Sequence, residues 1–179
     1  MSFHIEISTT EIERVASSLG ATPQIAEKAM NSTLAKMATW LKTRSIKGLS
    51  KTLIMQPKII RRRLKTLRLH KGANGSFARI WYGLDPVSLI NLQARQTKQG
   101  VRAYGGRFVK SAFITKGRNG NKQVFKRVGA ARLPIKKQTD PIQQKADHYL
   151  DTDAINSADF MQQFFKVLEH ELTWRTQTQ

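Results

Sequence analysis

The chain has 179 residues, with 31 Lys and Arg against 12 Asp and Glu, a formal charge of +19 and a hydrophobic content of 40%. The absence of Cys excludes disulfides, thiolate metal sites and Cys nucleophiles. No apolar run approaches the roughly 18–20 residues that cross a bilayer, and the length suits one domain.

The N-terminus, Met1 to Ser8, lacks the basic and apolar regions of a signal peptide, so a soluble intracellular product is expected. The charge is concentrated. Between Lys42 and Lys137 lie 25 basic residues and one acid, Asp85, a formal +24; the remaining residues carry six basic and eleven acidic side chains, or −5. Self-repulsion of this size disfavours an isolated compact body, and a polyanion that releases its counterions would offset it. Arg makes up nearly half of the basic residues, and its planar fork pairs with phosphate and stacks on bases.

In chain order, Phe3, Ile5 and Ile7 alternate with polar residues and predict a short half-buried strand. Thr9 and Thr10 cap a helix, with Glu13 completing a capping box after Thr10. Ile12, Val15, Ala16 and Leu19 form its apolar face, and Gly20 ends it. Thr22–Pro23 starts a second helix with Pro at its first position. Met30, Leu34, Met37 and Leu41 set its apolar stripe, with Ala26, Ala29 and Ala38 alongside. It is expected to run to about Arg44–Lys47, with Gly48 as the stop.

Gln56–Pro57 opens a short helix over Lys58–Lys65, in which Ile60 and Leu64 share one face and Arg61, Arg62 and Arg63 fan around the other. Leu67 and Leu69 read as a strand entrance, Gly72 to Gly75 as a turn, and Ala78 to Tyr82 as a strand. Asp85–Pro86 breaks the chain before the apolar run Val87 to Leu92. Phe108–Thr115 and Gln123–Val128 flank Lys116–Lys122 and predict a hairpin with a basic Gly/Asn tip. Leu133–Pro134–Ile135 is expected to leave the sheet. Acids return from Asp140 through Asp147, Asp151, Asp153 and Asp159. The last helix is expected over Ser157–Trp174, with Met161, Phe165, Leu168 and Leu172 as its stripe and Phe164 alongside, packing on the second helix.

These elements predict an α+β fold. N-terminal and C-terminal helices pack on a small antiparallel sheet from which a basic hairpin or arm protrudes. The expected organisation is one domain over residues 1–179, helical at about 1–50 and 141–179 and basic and β-rich at about 51–140.

Little in the chain supports catalysis. His4, His70, His148 and His170 are scattered without metal-ligand spacing. Asp147, Asp151 and Asp153 read as helix-start and loop acids rather than a nuclease-type metal cluster. The Gly72–Gly75 and Gly117–Gly120 segments are turns and match no phosphate-cradling loop. Ser111 and Ser157 lack a base pattern. No catalytic residue, metal or cofactor is expected. Trp81, Phe113 and Phe125 sit at strand spacing and read as core, whereas Tyr104, between Arg102 and Arg107, is equally suited to stacking on bases.

Several collinear motifs carry a resemblance. They are Ala29–Met30–Asn31, the basic run Lys58 to Lys65, Ala78–Arg79–Ile80, Leu89 to Leu92, and Ala94–Arg95. Ser111 to Ile114, Gly117, Val124, Arg127 and Leu133–Pro134–Ile135 follow. In order and spacing, about residues 25–142 resemble the minor tail protein Z family, the lambda-type tail-completion proteins of long-tailed phages. Ser111 replaces a small residue usual before the Ala-Phe-Ile motif, and Asp85–Pro86–Val87 replaces the family's Leu-Pro pair.

The resemblance implies a structural virion protein, made in the host cytoplasm, that completes the tail at its head-proximal end. It implies a homo-oligomeric ring, expected to be six-fold, around the DNA channel and no membrane. The implied partners are tail terminator and tail tube proteins, head-side connector proteins and phage DNA. Arg61, Arg62, Arg63, Lys65, Arg68 and Lys71 are the first residues expected to face DNA or an acidic partner. Arg102, Arg107, Lys110, Arg118 and Lys122 form a second group. Docking on acidic faces of neighbouring virion proteins would use the same charges. The competing reading is a free, sequence-nonspecific nucleic-acid-binding protein. A nuclease using Asp85 or the Asp147–Asp153 acids stands third.

Overall fold

The computed structural model describes residues 2–4, 9–66, 70–72, 75–77, 79–155 and 158–178. The chain is of mixed α+β class and divides into two compact units. The first comprises Met1–Ile46, Arg63–Gly83 and Leu150–Gln179; the second comprises Lys47–Arg62 and Leu84–Tyr149.

The first unit opens with strand β1 (Ser2–His4) and helix α1 (Thr9–Ser18); residues 5–8, where the strand was expected to continue, lie outside the described residues. Helix α1 stops as expected at Gly20. Gly20 adopts φ 65°, its N–H donates to the Ser17 carbonyl, and Ala21 N–H donates to the Ala16 carbonyl. These two reversed bonds satisfy end carbonyls and require a left-handed residue between them, which Gly supplies without a Cβ clash.

Helix α2 (Pro23–Thr52) carries Leu34, Met37 and Leu41 of the expected stripe into the core of the first unit with Ala29 and Ala38, whereas Met30 is half-buried. Strands β2 (Leu64–Thr66) and β5 (Arg79–Tyr82) form an antiparallel sheet with β1 in the order β1-β5-β2. Strands β3 (His70–Gly72) and β4 (Gly75–Phe77) pair with Gly72 opposite Gly75; residues 73 and 74, where a turn was expected, lie outside the described residues. The expected strand entrance at Leu67 and Leu69 lies outside the described residues. Buried Ser45 and Tyr82 hydroxyls are hydrogen-bonded at 2.9 Å, which joins α2 to β5.

Helix α5 (Ala158–Gln177) packs on α2 as predicted, but through a rotated face. Phe160, Phe164, Leu168 and Leu172 are buried, whereas Met161 is 39% exposed and Phe165 half-buried. The rotation buries two Phe rings in place of one Met and one Phe, removing more apolar surface from water. It also brings Glu171 inside. The Glu171 carboxylate accepts from Lys36 Nζ on α2 and from Arg175 Nη2 at 3.1 Å, and Arg175 also donates to Ser32 Oγ at 2.7 Å. Arg44 on α2 meets Asp159 on α5 at 2.8 Å. Burial raises the Glu171 pKa, but the Lys36 and Arg175 charges and hydrogen bonds outweigh it and hold the carboxyl below its ordinary value.

The second unit begins inside α2. Gly48 was expected to stop this helix and does not. A Cβ on Gly48 would stand 1.8 Å from Tyr149 Oη, so the glycine admits a ring against the helix. The helix ends four residues later, at Thr52, with the arrangement seen after α1. Ile54 N–H donates to the Lys51 carbonyl and Met55 N–H to the Ser50 carbonyl, with Ile54 at φ 46° in the left-handed position.

Helix α3 (Pro57–Arg61) is shorter than the Lys58–Lys65 helix expected. Ile60 is buried on α3, whereas Leu64, expected on the same helical face, is buried at the start of β2. Strand β6 (Val87–Ser88) leads into a 3-10 turn at Leu89–Leu92 and pairs later with β13 (Thr139–Asp140). Strands β7 (Arg95–Thr97), β8 (Gly100–Ala103) and β9 (Arg107–Lys110) form one antiparallel sheet. Strands β10 (Ala112–Lys116), β11 (Lys122–Arg127) and β12 (Ile135–Lys137) form another.

The expected hairpin is present between β10 and β11, but Phe108–Lys110 belongs to the preceding sheet. Ser111, at φ 60°, turns the chain between the two sheets and donates its N–H to the Gln99 carbonyl. Leu133–Pro134–Ile135 does not leave the sheet: Ile135 pairs with Arg127 and starts the third strand. Helix α4 (Gln143–Tyr149) closes the unit, and a π-helical segment, Leu150–Ile155, returns the chain to the first.

The second unit's core is Leu49, Leu53, Met55, Ile60, Val87, Leu89, Leu92, Val101, Ala112, Val124, Ile142 and Ala146. Phe113 and Phe125, expected in the core, are half-buried and lie ring against ring at 6.5 Å. Neutral side chains tie its strands. Gln96 Nε2 donates to the Gly100 and Ala112 carbonyls, and Gln96 Oε1 accepts the Ile114 N–H. Ser88 donates to Gln123 Oε1 at 2.6 Å. Arg107 is the charged tie. Its Nε donates to Asp140 Oδ2 at 2.6 Å, Nη2 to the Leu53 carbonyl at 2.7 Å, and Nη1 to the carbonyls of Ile54 at 3.0 Å and Tyr104 at 2.8 Å.

Two outcomes are expected. A folded-state pKa held below the unfolded value gives stability that is present above about pH 4.3 and lost as pH falls through the lowered value. Glu171→Gln should therefore destabilise the neutral protein by about 1–3 kcal/mol, and its denaturation curve should converge on the wild-type curve in acid. Arg107→Ala should cost about 3–5 kcal/mol by denaturant unfolding, because it leaves Asp140 and three carbonyls without their donor. Arg107→Lys should recover little of that loss, since an ammonium cannot reproduce the fork.

Candidate polyanion-binding surface

Division of the chain into its units spreads the charge less unevenly than the sequence segments do, but leaves most of it in one unit. By sequence, the second unit holds 19 Lys and Arg against three Asp, a formal +16. The first holds twelve against nine, or +3. Asp140, one of the three acids in the second unit, is engaged by Arg107.

Strand pairing then sets cations directly against one another. In the hairpin Lys116 faces Lys122, in the next pair Lys126 faces Lys136, and in the other sheet Arg95 faces Arg102. All six side chains are exposed. Like charges opposite one another weaken a strand pair, by up to about 1 kcal/mol each. An acid at one position of each pair would remove the cost. The sequence places none there. In the β7–β8 pair the buried Val101 lies on the face opposite Arg95 and Arg102, whereas in the hairpin the buried Ala112 and Val124 share a face with Lys116, Lys122 and Lys126, whose side chains are exposed beside that apolar strip.

The residues expected at the site fall in both units. Arg61 and Arg62 are exposed at the end of α3 in the second unit. Arg63 is half-buried in the first unit and donates to the Gly83 carbonyl at 3.1 Å, so it does not continue the fan of its two neighbours. Lys65 is exposed on β2, with its ammonium 5.7 Å from the centre of the half-buried Trp81 ring. Lys71 pairs with Ser76 in β3, and Arg68 lies outside the described residues.

Of the second group, Arg102, Lys110, Arg118 and Lys122 are exposed. Arg102 lies over the Phe108 ring at 5.6 Å, and Arg118 stands at the hairpin tip. Arg107 is different. Its side chain is 18% exposed and all its nitrogens bond within the fold, which removes it from an outward surface. Arg95, Lys116, Lys126 and Lys136 were not singled out by sequence. The expected hairpin is the signal in sequence that points to Lys116, since its register sets Lys116 opposite Lys122.

The surface suits an extended anion. Cations on neighbouring strands could meet phosphates or carboxylates without reading a base. Among the described residues, no helix is long and apolar enough to cross a membrane.

Comparison with curated proteins gives no match, and neither does comparison with solved structures. The sequence family described as prophage minor tail protein Z (GPZ) matches residues 11–177, which extends the resemblance seen over the middle of the chain into both terminal helices. The chain belongs to the prophage minor tail protein Z family.

Proposed function

We propose that the protein completes the phage tail at its head-proximal end and lines or abuts the DNA channel there as a homo-oligomeric ring. Membership of the family gives it a structural role in the phage tail, a place in the virion and other tail or virion proteins as partners. The observation that carries the finer reading is the set of facing cations, Lys116 with Lys122, Lys126 with Lys136 and Arg95 with Arg102. A surface arranged at a cost to its own fold fits a standing polyanion partner. DNA parked in a channel supplies one. A ring of identical copies, six in the expected arrangement, would concentrate the cations around one axis. Tail terminator and tube proteins on one side and connector proteins on the other are the protein neighbours this reading requires. Acidic faces on those neighbours are the second use of the same charges.

A charge reversal separates folding from function. Lys126→Glu places an acid opposite Lys136. It should raise stability slightly, by about 0.2–1 kcal/mol, while lowering the yield of infectious particles from a phage with no other copy of the protein. Equal or higher titres would remove the role of this surface. Arg61→Glu with Arg62→Glu should leave the melting temperature nearly unchanged and reduce titre, since both side chains are exposed. Mass-resolved sizing of the purified protein, alone and with tails assembled without it, tests the ring directly. Uptake at one tail end in a fixed copy number is expected. A monomer that ignores tails and binds duplex DNA would overturn the assignment.

A further inference from the structure

The ends of α1 and α2 use the same pair of reversed hydrogen bonds, but they fill the left-handed position differently. The first uses Gly20, the second Ile54 at φ 46°. A β-branched residue is an outlier in that region, where Gly or Asn is usual. Burial does not compensate for it, because Ile54 is 58% exposed. The flanking Leu53 and Met55 are buried, so the strain presents one apolar side chain outward between two anchored ones.

A second exposed side chain is fixed beside it. Arg107 Nη1 bonds the carbonyls of both Ile54 and Tyr104, and Tyr104 N–H donates to the Leu92 carbonyl at 2.7 Å. Gly105, at φ 79°, lets the two segments approach. A Cβ there would stand 2.6 Å from the Ile54 carbonyl oxygen and 3.2 Å from Ile54 Cγ2. Tyr104 is 44% exposed. A strained backbone, an interior Arg and a required Gly thus converge on holding an aliphatic and an aromatic side chain in water. Strain that a fold over-determines in this way marks functional positions.

We propose that Ile54 and Tyr104 form a docking knob for an apolar, acid-rimmed pocket on a neighbouring tail protein other than this chain. Charge selects the partner. The knob belongs to the +16 unit, with Lys51 and Arg102 exposed nearby in sequence. The same unit of a second copy would be repelled, whereas acids around the pocket attract it. Chemistry separates protein from nucleic acid. Tyr104 has a π-face on which a base can stack, but Ile54 has none and needs an apolar cavity. The proposal rests on the chain's place in the tail and not on which end it occupies.

The test measures uptake of labelled protein by purified tails assembled without it, with filter retention of duplex DNA alongside. Ile54→Gly relieves the backbone strain and removes the knob. It should fold with an equal or higher melting temperature, lose about tenfold or more in tail affinity and retain DNA unchanged. Ile54→Asn should behave likewise, because Asn tolerates the left-handed region. Tyr104→Ala, which leaves the helix end untouched, should also weaken uptake. Uptake at wild-type affinity by Ile54→Gly or Tyr104→Ala overturns the knob while leaving the tail reading standing. Parallel loss of DNA retention overturns it in favour of a nucleic-acid surface. Lower stability in Ile54→Gly with normal uptake by Tyr104→Ala makes the residue structural and overturns it too. Tails that do not take up the wild-type protein overturn the tail reading and the knob with it.

Discussion

Repulsion between cations governs the second unit. Its strands pair Lys with Lys and Arg with Arg, and its few acids include one already held by Arg107. Such a body has to be joined by contacts that ignore charge. Backbone ladders, the Gln96 amide, the Ser88–Gln123 bond and the apolar faces around Val101 and Val124 do this. None of them weakens when salt or a polyanion changes the field outside. The outward cations are thereby free to take a partner without loosening the strands that carry them.

Arg107 shows the other solution to the same constraint. Its charge is turned inward, matched by Asp140 and divided among three carbonyls. Those carbonyls come from the end of α2 and from the turn after β8, so one guanidinium fixes two segments about fifty positions apart. An Arg so placed contributes nothing to an external anion, although in sequence it is indistinguishable from Arg102 or Lys110. This is where the charge pattern alone misleads: composition identifies the basic body, but only the fold divides its cations into those that face outward and those that brace.

Much of the fold was legible where one local force decides. Gly20 ended α1, Pro23 began α2, and the apolar spacing of α2 located its core face. Legibility failed where two segments compete for one residue. Gly48 reads as a helix stop, yet its missing Cβ makes room for Tyr149, a residue about a hundred positions away. Ile54 is the last residue that propensity would put at a left-handed helix end, yet it stands there. In α5 the expected 4-3-4 stripe held at Leu168 and Leu172, but its first half turned by one position, from Met161 and Phe165 to Phe160 and Phe164, giving a 4-4-4 spacing. Ring size and the buried Glu171 decide between them. At the site, exposed cations were legible as a class, but their facing pairs required the strand register, and the break at Ser111 concealed which sheet Lys110 joins.

The two outward features of the second unit differ in what they can specify. A field of cations attracts any extended anion, over a Debye length of about 8 Å at physiological salt, and leaves its orientation loose. An apolar knob acts only in contact and only in a cavity of its shape, so it specifies register. Under the proposed function, a tail protein that met its neighbours before DNA would need both properties, in that order. The fold keeps them on separable supports. The facing cations sit on regular strands, whereas Ile54 and Tyr104 sit on a strained helix end and a glycine turn fastened by one Arg. Loss of a surface cation therefore weakens attraction by degrees, while loss of Arg107 releases the knob and the helix end together.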